Sequence, residues 1–254
     1  MRKIINIILV AIIIGCLSII GYKYYNYSKD NKLNSEIQDL QPVINEDGLG
    51  NTDSGNNSSE ENDGQDSSYV SNSANEDELK SINSDYKMWI QIENTNINYP
   101  IIKNENNYYL KHSFDKKYNS NGAIFTTNIF PFKDDETIVY GHNMKNGSMF
   151  SNLGKYLNKE FLDLHSKYKI YTVDKNYEAT IFSVYSIGVN EEMQNLKLLN
   201  FDERVKYYKN ISKYKIEYNE NINKIVKLST CSYLNAKTRP TDQRYYIIAS
   251  LNPI

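Results

Sequence analysis

Residues 224–251 have the sequence KIVKLSTCSYLNAKTRPTDQRYYIIASL, in which a polar connection joins two apolar runs. The runs, Lys224–Thr230 and Tyr245–Leu251, are rich in Ile, Val, Leu and Tyr, as expected of two β-strands. If these strands pair, Cys231 and Arg244 lie at the same end of neighbouring strands. The stretch therefore predicts a sheet that carries a thiol beside a guanidinium group at one end.

Upstream runs of the same composition are separated by clusters of Asn, Gly, Asp and Lys. They are Trp89–Ile92, Tyr99–Ile102, Ala123–Thr126, Thr137–Tyr140, Lys169–Val173 and Ala179–Tyr185. With the two strands above, about eight short strands favour a mainly β fold, either a sandwich or a closed barrel.

Two helices accompany this β pattern, and the second of them interrupts it. Residues 78–83 favour a short helix where the folded domain begins. Asn200 and Glu203 have the spacing of a capping box, and apolar residues follow at helical intervals. This pattern predicts a helix from about Asp202 to Tyr214, just before the last pair of strands.

The N-terminus contains a long apolar run, Ile4–Tyr22, which at about 1.5 Å per residue roughly spans a hydrocarbon core. Arg2 and Lys3 precede it, which favours a cytoplasmic N-terminus. No small-residue cleavage site follows, so residues 1–27 are interpreted as an uncleaved signal anchor with the rest of the chain outside the cell. A lipoprotein signal ending at Cys16 is an alternative, but the apolar run continues beyond that residue.

Residues 28–78 are predicted to form a disordered acidic linker between the anchor and a folded domain at residues 79–254. Residues 45–78 contain ten Asp or Glu, no Lys or Arg, and few apolar side chains. Such a segment cannot bury enough surface to offset its ordering entropy, and its like charges keep it extended. The folded domain is net positive, which suits a surface near anionic lipid or cell-wall polymer but is too diffuse to indicate nucleic acid.

Cys231 is the only cysteine outside the anchor, so it has no partner for an intramolecular disulfide in an oxidising compartment. Its position at a strand end suits an active-site group, but an inert, partly buried thiol fits the sequence equally well. A thiol nucleophile needs a base to favour the thiolate. His142 is favoured as that base because it follows a strand and the permissive Gly141, whereas His112 resembles a loop residue and His165 a helical surface residue.

Attack on a carbonyl also needs a group that stabilises the oxyanion, and arginine fits because it keeps its charge and presents several donors. Arg239 and Arg244 both follow Cys231. Arg244 is the better candidate because it opens the last strand, although either could be a solvated surface charge. Three dispersed His residues without a C-x-x-C motif give no credible zinc site, and the acidic run lacks the spacing of a calcium loop.

These residues resemble the sortase family. Leu228–Cys231 is similar to its T-L-x-T-C motif, with Lys227 in place of the first Thr, and Arg244–Ile248 resembles the arginine that opens its last strand. Gly141-His142 is similar to the family's histidine, and the order His, Cys, Arg along the chain agrees. The segments that resemble class B sortases in particular are Trp89–Ile92, Tyr99–Ile102, Tyr109–His112, Gly122–Phe125, Tyr140–Met144, Gly147–Phe150 and the helix near 202–214.

The resemblance implies a closed eight-stranded β-barrel with added helices. It also implies cleavage of a C-terminal sorting signal between Thr and Gly or Thr and Asn, through a thioester on Cys231 that passes to an amine of a peptidoglycan precursor. His142 would act as general acid and base, and Arg244 would stabilise the oxyanion. By position, the residues that resemble the substrate groove are Asn106, Leu110 and Ser229.

No cofactor and no metal are implied. The expected partners are secreted proteins that carry a sorting signal, the amine of the wall precursor, and the cell membrane through the N-terminal helix. Three other functions stay open. A hydrolytic cysteine peptidase would release its acyl group to water, and a pilin-polymerising sortase would differ in its acceptor amine. A surface-anchored binding module would contain Cys231 as an inert thiol.

Overall fold

The computed structural model describes residues 2–42, 73–128, 133–172, 175–217, 221–234 and 241–254. Most of the expected linker, together with Val173 and Arg239, lies outside these residues. The chain forms two compact units, Met1–Leu40 and Gln41–Ile254, and each is described by itself.

The N-terminal unit is the helix α1 (Arg2–Gln38), of 37 residues. Its part Lys3–Gln38 is long and apolar enough to cross a membrane, a test that a signal sequence also passes. The stretch from residue 28 to 38, expected in the disordered linker, is therefore helical. Residues 23–38 contain no Pro or Gly that would end the helix, and Lys32 and Glu36 pair at 3.7 Å one turn apart.

The second unit contains a barrel of eight strands. They are β1 (Tyr86–Gln91), β2 (Asn98–Lys103), β3 (Ile124–Thr126), β4 (Glu136–Tyr140), β5 (Lys167–Thr172), β6 (Asn176–Gly188), β7 (Ile225–Cys231) and β8 (Gln243–Pro253). The barrel is closed in the order β1-β2-β3-β4-β7-β8-β6-β5. The pairs β2–β3 and β4–β7 are parallel and the other neighbours are antiparallel. The predicted eight-stranded barrel is confirmed.

The second unit also contains helices outside the barrel strands. They are α2 (Ser73–Ile82), α3 (Lys159–Leu164), α4 (Val189–Leu196), α5 (Phe201–Ile211) and two short 3-10 helices at Tyr108–Leu110 and Ser151–Leu157. The capping box of α5 is present, with reciprocal 3.0 Å hydrogen bonds between Asn200 and Glu203. α5 ends three residues before the predicted Tyr214, because Ser212 leaves the helical conformation with ψ 135°. The strand pattern did not predict α4.

Side chains alternate along each strand, so apolar side chains of the described residues pack on both faces of the barrel. Val226 and Leu228 of β7 point into the barrel interior. Ile225 belongs to a second cluster on the outer face, where Val205 and Tyr208 of α5 pack against the barrel. The outer face of β7 is thus covered by helices along part of its length, and that cover ends before Cys231.

Candidate active site

Strand register collects the three candidate catalytic residues at one end of one outer face. In the antiparallel pair β7–β8, Cys231 lies opposite Arg244, as the sequence predicted. In the parallel pair β4–β7, Tyr140 lies opposite Ser229. His142 and Cys231 each follow that pair by two residues. Because parallel strands end on the same side of a sheet, both leave the ladder at the same end.

The turn that carries the histidine requires Gly141. A Cβ atom at this position would lie 2.5 Å from Cδ1 of Ile124 and 2.8 Å from the ring of Phe150, which are buried side chains. Nε2 of His142 donates to the carbonyl oxygen of Leu110 at 2.8 Å. Since a carbonyl oxygen only accepts hydrogen bonds, Nε2 carries a proton. Nδ1 is then the ring nitrogen that can exchange a proton with a ligand.

The carbonyl that holds the histidine belongs to a tightly supported turn. Gly122 has φ +62°, and a Cβ there would lie 2.5 Å from the carbonyl oxygen of Tyr109 and 3.0 Å from that of Leu110. The hydroxyl of Tyr109 donates to Asp85 at 2.7 Å and accepts from Asn83 at 2.8 Å. These contacts fix the position of the 3-10 helix Tyr108–Leu110. Because the carbonyl of Leu110 accepts the hydrogen bond from His142, they also fix the orientation of the imidazole.

Cys231 is half-buried, and hydrogen bonds continue past the end of β4 to reach it. The amide of Gly141 donates to the carbonyl of Ser229 at 3.2 Å, and the hydroxyl of Thr230 donates to the carbonyl of Gly141 at 2.7 Å. Nδ2 of Asn143 donates to the carbonyl oxygen of Cys231 at 2.8 Å. Asn143, which was not predicted as a site residue, thus joins the histidine loop directly to the backbone of the cysteine.

The guanidinium of Arg244 is oriented by its own loop. Nη1 donates to the carbonyl oxygens of Thr241 and Gln243, each at 2.9 Å. Nε and Nη2 make no hydrogen bond to other described residues, so they can bind an oxyanion that forms beside Cys231. Arg239, the alternative, lies outside the described residues.

These groups line a cleft of about 730 Å³ on the outer face of the barrel. Leu110 and Ser229, two of the three residues expected in the substrate groove, line this cleft. Asn106 does not line it, but its neighbour Asn107 does. The side chain of Asn106 instead accepts a 3.3 Å hydrogen bond from the amide of Tyr108, as residues that build turns do.

The other two histidines lie outside the cleft. His112 stacks on Tyr108 with ring centroids 3.7 Å apart and interplanar angle 4°. His165 follows α3 as its C-terminal cap. Within the described ranges, no three His, Cys, Asp or Glu side chains are grouped so that they could hold a metal ion.

Helix α4 forms one wall of the cleft. Val189, Met193 and Leu196 line the cleft, and their spacing of four and three residues was the signal that could have revealed this helix. Beneath them, Glu192 of α4 forms an ion pair with Lys227 of β7. From the sequence, Lys227 was recognised only as a departure from the family motif.

Comparison with known proteins identifies the family of the chain. A family model described as a Sortase domain matches residues 90–252, which is more than half of the chain. Sortase B of Listeria monocytogenes is 35% identical over 162 residues, covering 61% of this chain and 65% of that protein, slightly less than two thirds of its length. Sortase B of Staphylococcus aureus is 27% identical over 181 residues, covering 68% and 72% respectively.

Solved structures share the barrel. The sortase B of Clostridium perfringens matches with a TM-score of 0.62 and 29% identity, covering 70% of this chain and 99% of that one. A sortase B structure from Bacillus anthracis matches with a TM-score of 0.66 and 25% identity, covering 91% and 100%. The residues matched by the family model include His142, Cys231 and Arg244. The chain therefore belongs to the sortase family, within which it resembles sortase B.

Proposed function

We propose that this protein is a cysteine transpeptidase in which Cys231 is the nucleophile, His142 the general acid and base, and Arg244 the oxyanion-stabilising group. The observation that carries the proposal is the meeting of these three side chains at one end of a cleft of about 730 Å³. A thiol, an imidazole and a guanidinium are together sufficient for acyl transfer through a thioester.

In the first half of the reaction, the thiolate of Cys231 attacks the carbonyl carbon of the scissile peptide bond. The oxyanion that forms accepts hydrogen bonds from Arg244. When the intermediate collapses, the C–N bond breaks, and the leaving amine takes a proton from His142. The product is a thioester on Cys231 and a free amine.

In the second half, an acceptor amine attacks the thioester while His142 removes a proton from that amine. Collapse of this intermediate breaks the C–S bond and returns the thiolate. Because Nε2 of His142 is bonded to the carbonyl of Leu110, Nδ1 is assigned both proton transfers.

The substrate assignment follows the family resemblance. The acyl donor is a secreted protein with a C-terminal sorting signal, cleaved between Thr and Gly or Thr and Asn, and the acceptor is an amine of a peptidoglycan precursor. Leu110 and Ser229, which line the cleft, are assigned to contact the donor, and Asn106, the neighbour of the lining residue Asn107, remains a further candidate. Neither a cofactor nor a metal is required.

The location follows from the N-terminal helix. Lys3–Gln38 has the length and composition of a membrane span, and basic residues precede its apolar core. We assign a single-pass anchor with a cytoplasmic N-terminus and the barrel outside the cell, joined by the acidic linker. Protease digestion of intact cells, followed by detection of the barrel, tests this topology.

Mass spectrometry of the acyl-enzyme tests the chemistry. The full chain is incubated with a panel of sorting peptides, and Cys231 should gain the mass of the peptide up to its Thr. The Cys231→Ala variant should gain none, and Cys16→Ala, the matched control, should react like the unmodified protein. A wild-type chain without adduct on any peptide would contradict the proposal and favour the binding module.

The acceptor distinguishes the alternatives. With added amine, a transpeptidase forms an amide product, whereas a hydrolytic peptidase forms the free acid at any amine concentration. A pilin-polymerising enzyme would prefer a lysine side chain within a folded pilin over a peptidoglycan amine. Competition between these two amines in one reaction separates wall anchoring from polymerisation.

A further inference from the structure

Helix α4 is held against the barrel in an unusual way for a short surface helix. Surface helices usually bury an apolar stripe. In α4 the only buried side chain is that of Glu192, which is 3% exposed. Met193, the next residue, is 65% exposed and lines the cleft. Val189, Met193 and Leu196 thus line the cleft together with Glu192, whose buried carboxylate lies at the cleft floor beside Lys227.

The carboxylate meets a buried ammonium group. Oε1 of Glu192 accepts hydrogen bonds from Lys227 and, at 2.6 Å, from the hydroxyl of Tyr185. Lys227 is 2% exposed, and its Nζ lies 4.9 Å from the ring centroid of Tyr208 and 4.3 Å from that of Tyr246. Two aromatic rings and the hydroxyls of Tyr185 and Tyr208 thus replace part of the water that the charged pair has lost, whereas Oε2 of Glu192 has no hydrogen-bond partner among the described residues.

This cluster lies about 13 Å along the strand from the proposed nucleophile. Lys227 and Cys231 are on the same strand and, four residues apart, on the same face. Burial raises the pKa of Tyr246, the charge of Glu192 raises it further, and Arg244 opposes them. Tyr246 is opposite Ser229 in the β7–β8 ladder. The ion pair is therefore connected to the end of the cleft that carries Cys231 through neighbouring residues of β7 and β8 that all line the cleft.

The pair is also a departure from the family motif. Lys227 occupies the position at which the motif has Thr, and a threonine side chain has no charge to pair with Glu192. Burying a charge is costly unless it is paired, and removing one partner leaves the other uncompensated. Each residue thus requires the other, and their contact connects β7 to the wall of the cleft.

We propose that Lys227 and Glu192 are positioning residues that hold α4 in place as the wall of the substrate cleft. The wall then presents Val189, Met193 and Leu196 to an apolar side chain of the acyl donor. This inference rests on the proposed function, because the ligand of the cleft is taken to be the sorting peptide. It assigns the pair to binding of the donor and not to the chemical steps at Cys231.

The test is the division of the effect between KM and kcat. With a sorting peptide that acylates the wild-type chain and a fixed amine acceptor, Lys227→Met should raise the KM for the peptide roughly tenfold or more while kcat changes less than about threefold. The double variant Lys227→Met with Glu192→Leu should return KM to within about threefold of wild type, because an apolar pair can replace a buried ion pair. Lys206→Met, an exposed lysine on α5, is the control and should change neither constant.

Two further variants keep the test decisive if Lys227→Met does not fold. Glu192→Gln removes the charge at nearly constant size, and it should raise KM roughly threefold or more. Met193→Ser changes the exposed wall directly and should raise KM similarly, whereas Leu198→Ser should not, because Leu198 is 90% exposed but does not line the cleft. Circular dichroism confirms that each variant is folded.

Unchanged KM in folded Lys227→Met and Glu192→Gln would overturn the inference, as would a fall in kcat at constant KM. Failure of the double variant to recover would mean that the pair does more than hold the helix, and would also overturn it. Failure of the proposed function looks different, since the wild-type chain would then form no acyl-enzyme on Cys231 with any peptide.

Discussion

Cys231 and Lys227 lie four residues apart on one face of β7, yet their surroundings differ in kind. Cys231 is half-buried where the strand ends and the cleft opens, beside Arg244 and the histidine loop. Lys227 is 2% exposed in the middle of the strand, under α4 and α5. The same face of β7 thus has an accessible thiol where the strand ends and a buried, ion-paired lysine in the middle of the strand. Helical cover, and not residue chemistry alone, decides which group meets substrate.

The largest effect is expected from Cys231→Ala. This change should lower the rate of transpeptidation on the order of 10³-fold or more, because the thioester can no longer form. The free energy of unfolding should change little, since the side chain is only half-buried. Steady-state product formation and urea unfolding measure the two quantities. A variant that kept its activity would show that the reactive end lies elsewhere.

Lys227→Ala, which removes one partner of the buried pair, is expected to affect stability more than the chemical steps. The free energy of unfolding should fall by about 3 to 5 kcal/mol, because Glu192 is left uncompensated. The double variant Lys227→Ala with Glu192→Ala should lose less than the sum of the two single losses. If the losses were simply additive in urea unfolding, the pair would not be coupled.

The hydrogen bond that joins the histidine loop to the backbone of Cys231 is tested by Asn143→Asp. This change keeps the size but replaces the donor to the Cys231 carbonyl with an acceptor, so His142 and Cys231 should separate slightly. We expect kcat to fall about 10- to 100-fold with little change in KM.

Asn146→Asp supplies the matched control for that change. It adds the same charge to the same loop, but the side chain of Asn146 accepts hydrogen bonds from Ser148, and aspartate can still accept them. Its kcat should stay close to wild type. Equal losses in both variants would assign the effect to charge and not to the hydrogen bond.

The smallest effect is expected on the support of the histidine, through Asp85→Asn. Burial acts to raise the pKa of Asp85, but hydrogen bonds from Tyr109 and Lys116 together lower it below its ordinary value. A lowered pKa means that the ionised group stabilises the fold above its ordinary pKa of about 3.9, and that this contribution is lost as pH falls through the folded-state value.

Wild type should therefore exceed Asp85→Asn in unfolding free energy by less than about 1 kcal/mol at pH 7, because the pair with Lys116 is partly exposed. The difference should shrink below about pH 4. Urea unfolding at pH 7 and pH 3 measures it, with Asp77→Asn, an exposed residue of α2, as the control. A difference that grew toward low pH would contradict the sign of this argument.

Much of the barrel could be predicted from local sequence. Strands were identified near their observed places because β-branched and aromatic runs favour extended chain wherever they occur. The capping box of α5 was recognised because both of its hydrogen bonds connect residues three apart. α4 was missed because the helix has only eight residues, so the helical spacing of Val189, Met193 and Leu196 extends over two turns and is a weak signal.

The contacts within the candidate site could likewise be predicted only in part. Cys231 and Arg244 were predicted as neighbours because their strands are consecutive and antiparallel. The proximity of His142 could not be derived from strand order, since β4 and β7 are parallel and far apart in sequence. Leu110 was expected in the groove by its position, but its carbonyl also orients the imidazole. This contact depends on the close approach of the backbone at Gly122 to the carbonyl oxygens of Tyr109 and Leu110.

The sequence by itself determined the class of fold, the apolar N-terminal helix and the kinds of chemical group available, because these depend on periodicity, composition and residue type. Only the tertiary structure decided which groups meet. It brought a histidine from β4 to a cysteine on β7, and it covered Lys227 with a helix that carries its counter-ion. Pairing and burial are set by contacts between distant residues, and whether a side chain reacts or stabilises depends on those contacts.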